Sequence, residues 1–220
     1  MRHDDQGTML ELGLKFTLAY LIGAVMGALV VGALWGGVDI RQQGSGNAGG
    51  TNALRTQGKA FAALVMLIDV GKGILVAAVL PGLALPGIGL DPAVDRELLL
   101  YAVAFAAIVG HVFPVWYDFR GGKGGATAAG LLCYLAPHLA LPILGLWVAI
   151  VFFSGYVGLA TISATVAAAI YVGLFELPGS QGLFVFACLI SALTIYTHRG
   201  NIQRMWQGNE SRFGRFFGLR

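Results

Sequence analysis

The chain has 220 residues, 57% of them hydrophobic and only 11% charged, with a formal net charge of +3. A mean hydropathy of +0.76, together with a charged fraction well below the roughly 25% of soluble domains, excludes a water-soluble enzyme. The basic residues are not gathered on an aromatic-bearing module, which excludes a nucleic-acid binder. The expectation is a single all-α integral-membrane domain over 1–220, a polytopic helix bundle whose outer face is solvated by lipid.

The first fifteen residues mix acids with bases and lack a basic stretch followed by a small-residue cleavage site, so the first helix is expected to be retained. Apolar stretches follow at about 14–36, 60–81, 98–116, 124–136, 138–157, 159–177 and 181–197, which predicts about seven transmembrane helices. The fourth has only about a dozen residues before Pro137 and reads as a short helix that starts inside the protein, which leaves five or six spans as the alternative count. Small residues recur within spans: Gly23, Gly27 and Gly32 in the first, and Ala164, Ala167, Ala168 and Ala169 in the sixth, a pattern that permits close helix approach. Cys133 and Cys188 lie in apolar runs without metal or redox spacing and read as small buried hydrophobes.

Orientation follows from Lys and Arg. If the 37–59 loop is cytoplasmic, Arg41, Arg55, Lys59, Arg120, Lys123, Arg199, Arg204, Arg212, Arg215 and Arg220 gather on that side, and the opposite loops hold mainly Asp91, Asp95, Arg96, Glu97 and Glu176. The N-terminus is then outside and the C-terminus cytoplasmic. Three polar, glycine-rich segments (44–55, 111–127 and 198–204) converge on the cytoplasmic face. Irregular polar backbone at membrane depth is tolerated only where it lines a protein cavity, so these segments mark a working site.

Residues 44–49 formally match the GxGxxG dinucleotide fingerprint, but a membrane helix precedes them rather than a strand, so that meaning is rejected. The physics of the glycines survives: they allow positive φ and let backbone N–H groups converge on an anion. Ser45, Asn47, Thr51 and Asn52 add donors, and Arg55 adds a fork for phosphate. A plain interhelical turn would need a glycine or two, not this whole set. In the second apolar stretch Asp69 and Lys72 stand at i and i+3, either as a structural ion pair or as part of the site wall.

His111 ends the third span and reads more readily as a hydrogen-bonded interface residue than as a base. The run Gly121-Gly122-Lys123-Gly124-Gly125-Ala126-Thr127 is not a Walker A loop, because it lacks the earlier glycine and the Ser or Thr directly after the lysine. It still suits phosphate, with Lys123 as a point charge amid backbone amides at a helix start. His198 and Asn201, one helical turn apart, are the pair expected at the reacting centre, where the amide can orient the imidazole or join it on a substrate. There is no metal-ligand cluster, and no cofactor is expected.

Taken together, GSGNAGGTNALR, DVGKG, GHVFPVWYDFRGGKGGAT and HRGNIQRMWQGNESR resemble the bacterial glycerol-3-phosphate acyltransferase family of the PlsY type, over about residues 39 to 213. The resemblance implies a polytopic, monomeric enzyme of the bacterial inner membrane, its site facing the cytoplasm. It would move an acyl group from acyl phosphate to the 1-hydroxyl of glycerol 3-phosphate, giving lysophosphatidic acid and phosphate in the first acylation of phospholipid synthesis. Ser45 would join His198 and Asn201 as catalytic. Asn47, Thr51, Asn52, Arg55, Gly121, Gly122, Lys123, Thr127, His111, Lys72, Asp69 and Thr161 would bind substrate. Gly158 and Thr161 stand where the family tends to show serines. The competing class is a membrane transporter of a phosphate-bearing anion, against which the sequence offers no paired interrupted helices in matching halves.

Overall fold

The computed structural model describes residues 3–214, with side chains from residue 7 onward; Arg215 and Arg220 lie outside them. All regular structure among the described residues is helical: α1 His3–Gly23, α2 Gly27–Leu34, α3 Gly50–Gln57, α4 Lys59–Val79, α5 Arg96–Val112, α6 Gly125–Leu135, α7 Pro137–Ser154, α8 Val157–Phe175, α9 Gln181–Thr197 and α10 Arg199–Trp206. Short 3₁₀ turns occupy Ile40–Gln42 and Val115–Tyr117. The chain forms two compact units, Met1–Leu135 and Ala136–Arg220.

By length and apolarity α4, the segment Arg96–Tyr117, α7 and α8 can each cross a membrane, and two bent pairs raise the number to six. One pair is Gly7–Gly23 with Gly27–Leu34, bent by 47°; the other is Gln181–Thr197 with Arg199–Trp206, bent by 54°. All seven expected apolar segments are helical, but α6 has 11 residues. At about 1.5 Å per residue it is roughly 16 Å long, too short for a hydrocarbon core of about 30 Å. The first span is a correction, since a stretch read as continuous is broken at 24–26, where Met26 is extended. With the α9–α10 bend, each unit therefore has one interrupted helix, which the sequence did not reveal.

In the first unit α1 packs along α5, and α4 packs against α2, α3, α5 and α6. The contact surfaces are small: Ala19, Ala24, Ala28, Ala104, Ala106 and Ala107 are fully buried, while Leu67 and Leu98 are about 70% exposed. Phe61, Leu99 and Ile108 are buried as well, but alanines at the crossings and leucines on the outer face suit a solvent of lipid tails, where close backbone packing rather than water exclusion holds helices together. Glycines mark the tightest crossings. A Cβ on Gly23 would lie 2.1 Å from the Ala107 carbonyl oxygen, and one on Gly130 would lie 2.2 Å from that of Val70.

The end of this unit remote from the polar loops is closed by a clasp. Glu11 and Lys15, both fully buried, pair at 2.7 Å; Arg96 bonds Glu11 as well, and Lys15 Nζ donates to the Pro81 carbonyl at 3.0 Å. In the second unit α8 packs against α7, α9 and α10, through Ala160, Ala164, Ala168 and Ala169 among others. Phe152 and Phe153 stand 80% and 85% exposed on α7. Cys133 and Cys188 are exposed too, which corrects the expectation that they are buried: an apolar run in a membrane helix has a lipid face as well as a protein face.

Candidate active site

The first polar segment is held in shape by Asn52. Its Nδ2 donates to the carbonyls of Ile40 at 2.9 Å and Gln43 at 3.0 Å, and its Oδ1 accepts the Ser45 N–H at 3.0 Å. An amide nitrogen has two donors. Both are spent on the loop, so Asn52 has no donor left for a phosphate, and its expected contact with substrate becomes support for the loop. Gly44 and Gly46 take φ of +58° and +71°, which side-chain-bearing residues avoid. The loop thereby doubles back and leaves Ser45 exposed, with Asn47 and Thr51 half-buried. α3 begins at Gly50 with no side-chain cap, so Thr51 sits in its first turn, where helix amides favour an anion. Arg55, half-buried, lies in the last turn of the same helix.

Asp39 caps the 3₁₀ turn before this loop and pairs with Arg41 at 2.8 Å. The guanidinium beside it holds the Asp39 carboxyl below the usual carboxylate range. Arg41 Nη1 also reaches the Tyr117 carbonyl at 3.5 Å, which brings the first and second polar segments together within this unit.

The second segment differs from its expected form. The Gly121 N–H donates to the Val112 carbonyl at 3.2 Å and the Gly122 N–H to that of His111 at 3.1 Å. These two amides complete the end of α5 rather than standing open to an anion. The glycines serve close approach: a Cβ at position 121 would lie 2.1 Å from the His111 carbonyl oxygen, and one at 122 would lie 2.2 Å from His111 Nε2. Lys123, half-buried, follows this contact, and Gly124 turns the chain at φ +85° into α6. Thr127 is fully buried, and its hydroxyl has no hydrogen-bond partner among the described residues. It is enclosed in the unit rather than turned toward solvent.

Asp69, Lys72 and His111 form one buried group. Lys72 Nζ lies 2.9 Å from Asp69 Oδ1, 2.9 Å from His111 Nδ1 and 2.7 Å from the Val25 carbonyl oxygen. Asp69 Oδ1 also accepts the Gly27 N–H at 3.1 Å. The three ammonium protons of Lys72 match its three acceptors, so none remains for a substrate phosphate. Of the two readings open for Asp69 and Lys72, the structural pair is the one these contacts describe.

In the second unit His198 stands at the bend between α9 and α10 and is buried. Its Nδ1 lies 2.8 Å from the Thr194 carbonyl oxygen. A carbonyl only accepts, so Nδ1 carries the proton, and in the neutral ring Nε2 carries the lone pair. Asn201, in the first turn of α10, donates from Nδ2 to Glu210 Oε1 at 2.6 Å, and Glu210 Oε2 accepts from Arg204 Nε at 2.7 Å. Gly158 makes room for this amide: a Cβ there would meet Asn201 Cβ, Cγ and Nδ2 at 3.0 Å. Thr161 Oγ1 accepts the Trp147 indole N–H at 3.1 Å and donates to the Val157 carbonyl at 2.9 Å. That hydroxyl is engaged in joining α7 to α8. A cavity of about 450 Å³ is lined by Thr197, Arg199, Gly200 and Gln203, with neither His198 nor Asn201 in its lining. Glu210 was missed by the residue-level reading; its only signal was its place in the quoted NESR stretch.

The fold defines a polytopic helical membrane protein, and comparison with known proteins narrows this to one class. A family profile described as glycerol-3-phosphate acyltransferase matches residues 14–208. The chain belongs to the glycerol-3-phosphate acyltransferase family. Curated relatives of that name include one from Chlorobium phaeovibrioides, 36% identical over 93% of this chain and 97% of the relative. Another, from Shewanella woodyi, is 40% identical over 94% and 96%. The crystal structure of PlsY, an integral membrane glycerol 3-phosphate acyltransferase, in its glycerol 3-phosphate form is 36% identical, with a TM-score of 0.80, covering 94% of this chain and 98% of that one. The lysophosphatidic acid form of PlsY matches with a TM-score of 0.77 over 92% and 95%.

Proposed function

We propose that this chain transfers a fatty acyl group from acyl phosphate to the 1-hydroxyl of glycerol 3-phosphate at the cytoplasmic face of a bacterial inner membrane, working as a monomer. The carbonyl–oxygen bond to phosphate breaks as the ester bond to the glycerol oxygen forms. The products are lysophosphatidic acid and inorganic phosphate. The observation that carries the reading is the match over nearly the whole length to PlsY, a protein solved with glycerol 3-phosphate and with lysophosphatidic acid. The motifs that resemble its type imply acyl phosphate as donor.

The chemistry of the residues supports this division of roles. Ser45, Asn47, Thr51, Arg55 and Lys123 supply hydroxyl, amide and cationic donors for phosphate oxygens. His198 Nε2, bearing the lone pair, accepts a hydrogen bond from the attacking hydroxyl, and its proton passes to that nitrogen or to a substrate phosphate. Asn201, its amide held by Glu210, orients the substrate beside it. Carboxylates are poor candidates for the base, because those with enclosed side chains, Glu11, Asp69 and Glu210, are each paired with a cation. Phosphate is already a good leaving group, so the protein's task is positioning and charge neutralisation.

Four variants of the purified protein test these roles: Ser45→Ala, Arg55→Ala, Lys123→Ala and His198→Asn. Each is expected to cut turnover more than tenfold while the protein still inserts. The asparagine keeps a donor near the Thr194 carbonyl but has no Nε2. Full activity in that variant would remove His198 from the reaction.

A further inference from the structure

Asp69, Lys72 and His111 have no step in the reaction just proposed, yet they form a buried cluster of three ionisable groups on the loop side of the first unit, at 0%, 6% and 2% exposure. We propose that they form a buried connector that fixes the helix break before the first polar loop against the start of the second, and so act as positioning residues for both loops.

The break at 24–26 is the starting point. Ending α1 and restarting at α2 frees terminal carbonyls of one helix and leading amides of the other, inside a layer that has no water to satisfy them. Lys72 Nζ takes the Val25 carbonyl at 2.7 Å and Asp69 Oδ1 takes the Gly27 N–H at 3.1 Å. The carboxylate at the start of α2 has the sign that helix's dipole favours, and the ammonium holds a carbonyl of the break itself, two residues past the end of α1. Both caps come from one turn of α4, where the two side chains pair at 2.9 Å. Gly27 admits them, because a Cβ there would lie 2.8 Å from the Val65 carbonyl oxygen and 3.1 Å from Asp69 Oδ1.

From this pair the connection runs in two directions. Through α2 it reaches the first loop: Met26, Ala28 and Val31 share one buried cluster with Ile40, Ala48 and Ala53. Through His111 it reaches the second. Lys72 Nζ donates to His111 Nδ1 at 2.9 Å, which puts the ring proton on Nε2, the nitrogen against which Gly122 packs. The His111 carbonyl then receives the Gly122 N–H at 3.1 Å. One lysine is thus hydrogen-bonded to the break that aims α2 and to the histidine on which the second loop closes.

Its consequence for catalysis rests on the reading that these loops hold phosphate, and the test separates the two claims. Lys72→Met, Lys72→Arg and the charge-neutral double variant Asp69→Asn/Lys72→Met are compared in detergent for thermal stability, for hydrogen exchange at the Ser45, Gly121 and Gly122 amides, and for KM and kcat with glycerol 3-phosphate. The double variant leaves no unpaired buried charge and is expected to recover the thermal stability that Lys72→Met loses. Its loop amides are still expected to exchange at least tenfold faster, with KM raised at least tenfold, because Val25 and His111 have lost their donor. Lys72→Arg, which keeps donors, is expected to restore much of both. If the double variant exchanges at the wild-type rate, the group is only a neutralised ion pair and the connector is refuted. Faster exchange with an unchanged KM upholds the connector and refutes the phosphate role of the loops.

Discussion

Asn52 offers the sharpest contrast between a residue that binds substrate and one that shapes the loop that does. Its side chain makes three hydrogen bonds, to the Ile40 and Gln43 carbonyls and from the Ser45 N–H, at 2.9–3.0 Å, and it is 1% exposed. Each such bond contributes about 1 kcal/mol net, and a buried group left unpaired costs about 1–3 kcal/mol. Asn52→Ala is therefore expected to lower stability by about 3 kcal/mol, a fall in Tm of roughly 10 °C for a chain of this size. It frees the loop that carries Ser45, so KM for glycerol 3-phosphate is expected to rise as well. Asn52→Asp is nearly isosteric and keeps the acceptor for Ser45, but it sets a carboxylate oxygen against two carbonyls, and it is expected to be at least as damaging as alanine. Thermal unfolding in detergent and steady-state kinetics on both variants check this. An alanine variant with wild-type Tm and only a raised KM would restore Asn52 as a direct phosphate ligand and refute the loop-bracing argument. An aspartate variant better tolerated than alanine would refute the assignment of its hydrogen bonds.

Gly130→Ala puts a Cβ 2.2 Å from the Val70 carbonyl oxygen, which forces α4 and α6 apart; the expected loss is about 2 kcal/mol or more, read as a fall in the yield of folded protein from the membrane. Asp39 is held low by Arg41, so the stability their pair contributes is present above the unfolded value of 3.8 and is lost only as pH falls through the lower folded value. Asp39→Asn is therefore expected to leave the shape of the pH–rate profile between pH 5 and 8 unchanged, and a new inflection in that window would contradict the assignment. Glu210→Gln retains an acceptor for Asn201 and is expected to keep more activity than Glu210→Ala, in which both Asn201 and Arg204 lose a partner; equal loss in the two would show that the carboxylate charge, not the hold on Asn201, is what matters.

Membrane class, helix content and most helix ends were legible in the sequence, because a span writes itself as an apolar run of defined length: α4 begins at residue 59 where 60 was expected, and α9 ends at 197 as expected. The break at 24–26 was not legible. Residues 14–36 read as one apolar stretch, and what stabilises the interruption comes from Asp69 and Lys72, more than forty positions away. The glycines of the second loop misled for a related reason. A glycine that leaves its amide open to an anion and one that admits a neighbour's carbonyl are identical letters, and at 121 and 122 the second use applies. For His198 the sequence supplied the residue type, whereas the ring nitrogen that carries the lone pair follows only from the Thr194 carbonyl at 2.8 Å. Glu210 lay in a short polar stretch with no periodicity to draw attention to it, and its role became visible only beside Asn201 and Arg204.

The most direct test of the proposed reaction supplies the purified protein with labelled glycerol 3-phosphate and, in parallel, palmitoyl phosphate or palmitoyl-CoA, without added metal. Labelled lysophosphatidic acid and one equivalent of inorganic phosphate, formed only with palmitoyl phosphate, is the expected result. Product from palmitoyl-CoA alone, or none from either donor, would contradict it.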